Sequence, residues 1–186
     1  SRVVTLGAGG VGLNCIQAAA IIGALTNIAV DLSPNKLEAA MTFGATHALH
    51  ATHPDVVDEI KTLTAGRGAD YVFVATGSGA AMAVAPLLVR RGGTVVLVGM
   101  APSGLKVEYE PLDIANDSIR LIGSKMGGAR LQTDIPTLLA HYRSGRLKLD
   151  ELVSGCYSLE DINKAIDSVK RGEALRNVIV FYGESA

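Results

Sequence analysis

Short apolar runs alternate with segments of helical periodicity along most of the chain. The apolar runs predict six strands, at residues 2–6, 27–31, 47–50, 70–75, 94–98 and 119–123. The segments between them predict helices at 13–24, 35–43, 55–64 and 80–90, and a loop from 99 to 118 that contains Pro102 and Pro111. Strands of continuous Val and Ile that alternate with helices are typical of a parallel sheet covered on both faces. The sequence therefore predicts an α/β protein with a doubly wound parallel sheet, the Rossmann fold, in the strand order 3-2-1-4-5-6.

The last part of the chain breaks this alternation. Its pattern predicts a helix at 134–144, a strand at 152–157, a helix at 159–170 and a last strand at 177–181. We therefore expect a Rossmann domain over residues 1–128, followed by a C-terminal helix–strand extension over residues 129–186.

Composition and charge narrow the classes of partner. The chain has 17 basic and 18 acidic residues, which give a net charge of −1 and no basic footprint for nucleic acid. Its longest apolar run, from Cys15 to Leu25, is too short to span a bilayer. We expect neither nucleic acid nor a membrane as a partner. Ser1 leads directly into a predicted strand, so we also expect the sequence to begin inside a longer protein.

Candidate metal ligands are few and badly spaced. Cys15 and Cys156 form no Cys-x-x-Cys motif, so they can build neither a disulfide framework nor a zinc ribbon. Their scarcity favours a reducing, cytoplasmic setting. His47, His50 and His53 are spaced by threes, but on a strand they would point to alternating faces, which favours a solvated loop edge. The sequence predicts no metal site in this chain.

A glycine-rich motif, GAGGVG, joins the first predicted strand to the first predicted helix. Gly7 permits a tight turn, Gly9 lets the backbone approach a diphosphate, and Gly12 lets the helix pack closely on the sheet. The backbone N–H groups around Gly10 and Val11 would then face the phosphates, at the positive end of the helix dipole. This strand–turn–helix context predicts a dinucleotide site.

An acidic residue ends the second predicted strand, as this type of site requires. Asp31 lies 19 residues beyond Gly12, where its carboxylate can accept hydrogen bonds from both hydroxyls of the adenosine ribose. The same carboxylate would repel the 2′-phosphate of NADP, and the next residue is Leu32 rather than an arginine. The sequence therefore predicts NAD as the cofactor.

Two other classes of protein share part of this pattern. S-adenosylmethionine methyltransferases also combine a glycine-rich first turn with an acid after the second strand. Their first strand usually ends in an acid, whereas this one ends in Val4-Thr5-Leu6, and the step from Gly9 to Gly12 favours a dinucleotide. A non-catalytic NAD-sensing module remains open on the residues up to Asp31.

Further motifs make the sequence resemble the medium-chain dehydrogenase/reductase family, and within it the zinc-dependent alcohol dehydrogenases. Besides the GAGGVG turn, they are Asp31 with Lys36, Phe43-Gly44-Ala45-Thr46, Gly68-Ala69-Asp70-Tyr71, Ala75-Thr76-Gly77, Gly92-Gly93-Thr94, Val98-Gly99-Met100, Gly123 to Gly128, Leu147 to Leu152, and Arg176-Asn177-Val178-Ile179. Zinc-free NAD(P)H quinone reductases of the same family remain an alternative, although they often lack the acid at Asp31.

The resemblance implies roles for residues around the adenosine and the diphosphate. Lys36 would lie near the adenosine ribose, beside Asp31. Thr76 and Gly77 would border the adenosine and the ribose on the nicotinamide side. Arg176 matches an arginine that reaches the diphosphate, for which a two-pronged guanidinium is well suited.

The resemblance also implies how the nicotinamide is held. Val98 and Met100, on either side of Gly99, match positions whose backbone groups hydrogen-bond the carboxamide and so fix which face of the ring meets the substrate. Met126 stands where relatives often have an aromatic residue, so no stacking is expected there.

The activity implied is hydride transfer between an alcohol or aldehyde and NAD, with zinc as a Lewis acid. The zinc ligands of the family precede the Rossmann domain, so we expect this chain to bind NAD but to carry no catalytic residue and to be inactive alone. Residues 129–186 would pack on the catalytic domain. Residues 119–125 would pair with a second copy in a homo-oligomer.

Overall fold

A six-stranded parallel sheet forms the centre of the protein. The structure, a computed structural model, describes residues 1–181. The strands are β1 (Arg2–Leu6), β2 (Thr26–Asp31), β3 (His47–His50), β4 (Ala69–Val74), β5 (Val89–Leu97) and β6 (Arg120–Gly123). They lie in the order β3-β2-β1-β4-β5-β6, and each neighbouring pair is parallel. The predicted fold and strand order are confirmed.

Helices connect the strands and cover both faces of the sheet. They are α1 (Gly10–Ile21), α2 (Pro34–Thr42), α3 (Val56–Leu63), α4 (Gly79–Leu88), α5 (Pro111–Asn116), α6 (Leu131–Arg143) and α7 (Ile162–Lys170). Among the helices of residues 1–181, none combines the length and hydropathy that a membrane span requires.

Several elements differ from the prediction, and α1 and α6, for example, each begin three residues earlier than predicted. The helix α5 lies in the predicted loop, because Pro111 occupies the first turn of a helix, where its missing N–H is no loss. The strand β5 begins at Val89, five residues early, since this β-branched residue leaves the helix in an extended conformation and pairs with Ala69. The helix α7 begins at Ile162 rather than at residue 159.

The core divides into two clusters, one on each face of the sheet. Along β2, Ile28 and Val30 point to the face covered by α3 and α4, while Ala29 points to the face covered by α1 and α2. The β1–β2–β4 centre is therefore buried on both sides, as a doubly wound sheet requires.

The C-terminal extension forms a second, smaller sheet. Its strands β7 (Val153–Ser158) and β8 (Arg176–Val180) pair in parallel, with α7 between them along the chain. Leu152 is buried in the cluster beneath α1. The Gln17 side chain also joins α1 to this region, because its Oε1 accepts from the Lys148 amide at 2.8 Å. The last five residues of the predicted segment 129–186 lie outside the described residues.

Candidate functional site

The glycine-rich turn has the close packing that its sequence predicts. Gly7 has a φ of +94°, which favours glycine, and its amide donates to the Val30 carbonyl at 2.8 Å. A Cβ added at Gly12 would overlap the carbonyl oxygen of Gly7, so the start of α1 can approach the turn only without a side chain. By contrast, apart from Gly9 itself and its two neighbours in the chain, no atom of the described residues lies within 4 Å of a Cβ added at Gly9. Gly9 therefore faces open space, where a ligand can approach the backbone.

The first turn of α1 begins next to this open space. Gly9 is the N-cap, and its carbonyl accepts from the Leu13 amide at 2.8 Å. The amides of Gly10 and Val11 precede the first intrahelical hydrogen bond, so they have no acceptor within the helix. Together with the helix dipole, these amides are suited to bind a phosphate group.

Asp31, at the end of β2, is half-buried and bonded on both carboxylate oxygens. Its Oδ2 accepts from the Ala8 amide at 2.7 Å, and its Oδ1 accepts from the Ser33 amide at 2.9 Å. These bonds tie the glycine-rich turn to the end of β2, a role that the sequence did not suggest. A carboxylate has about four lone-pair positions, so both oxygens can still accept from a pair of ribose hydroxyls.

A cavity of about 730 Å³ opens beside Asp31. Four residues singled out from the sequence border it: Gly7, Asp31, Lys36 and Thr76. Apolar side chains of α3 and α4 form its deep wall, and these are Val56, Ile60, Ala81, Val84 and Leu88. A slot with an apolar wall and a carboxylate at its mouth has the character of an adenosine site.

The carboxyl ends of β4 and β5 meet next to the turn. A Cβ at Gly99 would overlap the Thr76 backbone, and a Cβ at Gly77 would lie 2.6 Å from the Met100 carbonyl oxygen. The Val98 amide donates to the Val74 carbonyl at 3.0 Å. Because that amide is used inside the sheet, the Val98 carbonyl is the backbone group that can accept from a carboxamide.

Arg176, at the start of β8, lies beside the start of α1. A Cβ at Gly10 would be 2.7 Å from the Leu175 carbonyl oxygen and 4.0 Å from Nη2 of Arg176. The structure thus brings an exposed guanidinium from the C-terminal extension next to Gly10, whose amide has no acceptor within the helix. This juxtaposition of a cation and a helix N-terminus suits a diphosphate.

The loop between α7 and β8 also borders the cavity, and the sequence did not reveal it. Arg171 and Gly172 line the cavity with Asp31. A Cβ at Gly172 would lie 3.5 Å from Nζ of Lys36. The available signal was a glycine shortly before the last predicted strand, which indicates a turn but not what the turn touches.

The structure gives no metal centre within residues 1–181. No group of three or more His, Cys, Asp or Glu side chains that could hold a metal occurs among these residues. Nε2 of His50 lies 2.8 Å from the Leu32 carbonyl oxygen, while His53 faces Glu59 at 3.8 Å, so the histidines do not converge. Burial raises the pKa of the Cys15 thiol, which keeps it protonated. The described residues therefore do not fit a zinc ion.

The sheet order, the glycine-rich turn and the acid at the end of β2 define a Rossmann fold of the dinucleotide-binding type. A family model described as "Zinc-binding dehydrogenase" matches residues 10–144. The chain belongs to this family, the medium-chain, zinc-dependent alcohol dehydrogenases, and the resemblance seen in the sequence is confirmed. Membership also removes the methyltransferase alternative.

Relatives and solved structures agree with this assignment. Alcohol dehydrogenase class-3 of Cereibacter sphaeroides is 35% identical over 97% of this chain and 50% of its own length. Benzyl alcohol dehydrogenase of Acinetobacter calcoaceticus superposes with a TM-score of 0.93 and 30% identity, over 98% of this chain and 50% of that one. A zinc-binding dehydrogenase-like protein of Sinorhizobium meliloti, solved with NADP bound, superposes with a TM-score of 0.80 and 28% identity, over 97% of this chain and 52% of that one. The chain spans about half the length of the relatives it matches.

Proposed function

We propose that this chain is the NAD-binding part of an oxidoreductase that transfers a hydride between an alcohol and NAD. The observation that supports it best is the convergence of three features at the carboxyl edge of the sheet. They are the amides of Gly10 and Val11, which have no acceptor within the helix, the Asp31 carboxylate, which is bonded to the glycine-rich turn, and the Arg176 guanidinium beside Gly10.

The residues fit the adenosine diphosphate part of NAD. The amides of α1 and the Arg176 side chain would bind the diphosphate. Asp31 would accept from the ribose hydroxyls, with Lys36 beside it, and the adenine would enter the apolar slot between α3 and α4. A side chain at Gly9 would occupy the space that the diphosphate needs.

The nicotinamide half would lie over the ends of β4 and β5. Thr76 and Gly77 would border its ribose, and the backbone at Val98 and Met100 would hold the carboxamide. When NAD is bound, its nicotinamide ring accepts the hydride. The part played by this chain is to orient the ring, which decides the face that the substrate meets.

The preference for NAD over NADP is the finer part of the proposal. It rests on Asp31, since a carboxylate at the ribose repels a 2′-phosphate. The relative of Sinorhizobium meliloti solved with NADP bound indicates that this fold can hold NADP. The choice must therefore depend on individual side chains at the ribose.

Zinc chemistry and assembly would involve parts beyond this site. Because residues 1–181 do not fit zinc, we propose that its ligands belong to a catalytic domain elsewhere in the intact enzyme, and that this chain alone is inactive.

We also propose a homo-oligomer through β6. All four residues of β6 are exposed, and its outer edge has no partner strand within the described part of the chain.

Titration calorimetry of the purified chain with NAD, NADP and S-adenosylmethionine tests the proposal. We expect NAD to bind, NADP to bind at least about tenfold more weakly because of the charge at Asp31, and S-adenosylmethionine not to bind. The variant Asp31→Asn keeps the shape and one acceptor oxygen, so it should narrow the gap between NAD and NADP. Failure to bind either dinucleotide, or a preference of the unaltered chain for NADP, would contradict the proposal.

A further inference from the structure

A small polar niche lies next to the adenosine cavity. It measures about 280 Å³ and is lined by side chains from the start of α2 and from the α7–β8 loop: Ser33, Asn35, Lys36, Arg171 and Glu173. Ser33, Lys36 and Arg171 also line the larger cavity, so the two spaces adjoin. The niche begins two residues beyond Asp31, whose Oδ1 is bonded to the Ser33 amide. A group attached to the ribose would have this niche within reach.

The niche holds two cations and one anion. Arg171 donates to Glu173 through two parallel bonds, Nε to Oε1 at 2.8 Å and Nη2 to Oε2 at 2.9 Å. This two-pronged arrangement is the one a guanidinium uses for a phosphate. Lys36 forms no ion pair with any residue that the structure describes. Glu173 therefore occupies the face of Arg171 that a phosphate would need, while Lys36 remains available.

We propose that this niche is a subsite for a ribose 2′-phosphate, and that Glu173 closes it to NADP by holding Arg171. The inference rests on the proposed dinucleotide site. A 2′-phosphate entering the niche would have to displace Glu173 from Arg171 or accept repulsion from its carboxylate. Selection of NAD would thus have two parts. Asp31 repels the 2′-phosphate directly, and Glu173 holds Arg171, the cation that could otherwise bind that phosphate.

A simple surface ion pair is the competing explanation. Both side chains are 58% exposed, and pairs of this kind contribute little to stability. Two observations separate this pair from an ordinary one. Arg171 lines both the cavity and the niche, and the next residue, Gly172, is a neighbour of Lys36, since an added Cβ would be in ordinary contact with Nζ at 3.5 Å.

The variant Glu173→Gln tests the proposal with small probes for the adenosine half. 2′,5′-ADP carries the phosphate that distinguishes NADP, and 5′-AMP lacks it. Because glutamine has the size of glutamate without its charge, Arg171 becomes free while the loop keeps its shape. We expect binding of 2′,5′-ADP to strengthen about fivefold, the factor that corresponds to one modest ion pair, and binding of 5′-AMP to change less than about twofold.

A matched control separates this effect from a general change of charge. Asp161→Asn frees Lys164 from an exposed ion pair of 2.8 Å at the start of α7, with the same change in net charge, and neither residue lines the niche. We expect it to leave the ratio of the two affinities unchanged. An equal gain in this control, or no gain in Glu173→Gln, would overturn the proposal.

Arg171→Ala provides a second test that does not depend on the first variant. It leaves Glu173 in the niche as an anion without its partner, so 2′,5′-ADP should bind about threefold more weakly while 5′-AMP is unaffected. In the double variant Arg171→Ala, Glu173→Gln the fivefold gain should disappear. A gain that persists there overturns the role of Arg171. If the unaltered chain binds neither 5′-AMP nor NAD, the dinucleotide site itself is wrong, which is a distinguishable result.

Discussion

The Rossmann region, residues 1–128, and the C-terminal region, residues 129–181, bury their apolar side chains to very different extents. In the described part of the chain, all but three of the buried apolar residues precede residue 100, and the three are Leu147, Leu152 and Ala165. The C-terminal region instead exposes large apolar side chains on both of its helices. On α6 these include Leu131, Ile135 and Leu138, and on α7 they are Ile162, Ile166 and Val169.

Each of these two sets follows the spacing i, i+4, i+7, which places its members on one face of a helix. The Rossmann region thus completes its own core, whereas the C-terminal region presents two apolar stripes at the surface. Stripes of this kind mark a surface that another part of a protein covers. Packing of residues 129–186 on a catalytic domain remains a prediction, and it is the one that these stripes favour. The cofactor site therefore has two parts. Its base, the glycine-rich turn and Asp31, belongs to the well-packed Rossmann region, whereas its cover, the α7–β8 loop and Arg176, belongs to the poorly buried C-terminal region.

The substitution expected to destabilise the base of the site most is Gly12→Ala. Its methyl group would overlap the Gly7 carbonyl, so the turn and α1 must separate. We expect the free energy of unfolding to fall by about 3 kcal/mol or more, as for overpacked cores, measured by chemical denaturation.

Gly9→Ala is the matched control for that change. The added methyl meets open space and the residue has an ordinary φ of −75°, so the free energy of unfolding should fall by less than about 1 kcal/mol. The same methyl would stand where the diphosphate approaches, so NAD affinity should fall about tenfold or more. Equal stability of the two variants would contradict the packing described for Gly12.

A pair of identical truncations sharpens the contrast between the regions. Ile60 on α3 is fully buried, whereas Ile166 on α7 is 44% exposed. Ile60→Ala should lower the free energy of unfolding by about 3 kcal/mol, and Ile166→Ala by less than about 1 kcal/mol. Denaturation of both variants under one set of conditions measures the difference. If Ile166→Ala proves equally destabilising, α7 is covered in the isolated chain, for example by a second copy.

The base of the site could be predicted from the sequence because its signals are local. Gly7, Gly9 and Gly12 lie in one turn between a strand and a helix, and Asp31 ends the next strand. The alternation of elements then fixes the topology, since parallel strands need crossover helices. The structure adds that Asp31 also binds the Ala8 amide, which no spacing rule indicates.

The cover of the site could not be predicted, because its contacts join distant parts of the chain. Arg171 reaches the cavity, and Glu173 the adjoining niche, only through the way the C-terminal region packs against the first half of the protein. The helix α5 differs from the prediction for another reason: a proline such as Pro111 is typical of loops, but it also begins helices. Local pattern therefore predicts the sheet and the turn, and tertiary packing decides which loop completes the site.

The smallest expected effects on stability come from one ion pair in each region, Asp70 with Arg90 and Glu173 with Arg171. Asp70, at the amino end of β4, accepts from Nε of Arg90 and, at 2.7 Å, from the Arg2 amide. Burial would raise the pKa of Asp70, but the hydrogen bonds from Arg90 and Arg2 and the charge of Arg90 together hold it below its ordinary value of 3.8. The ionised carboxylate therefore stabilises the fold fully at a pH above the ordinary pKa, which is that of the unfolded chain. This contribution is lost as the pH falls through the lower pKa of the folded chain.

Asp70→Asn should lower the free energy of unfolding at pH 7 by about 1 kcal/mol, and the gap to the unaltered chain should close in strong acid, where Asp70 is protonated. Glu173→Gln, in the exposed pair of the C-terminal region, should change stability by no measurable amount, because solvent screens that pair. Denaturation from pH 7 down to pH 2 measures both. A gap for Asp70→Asn that stays constant over this range would show that the carboxylate acts through packing rather than charge. A loss of stability in Glu173→Gln would contradict the description of that pair as a surface contact screened by solvent.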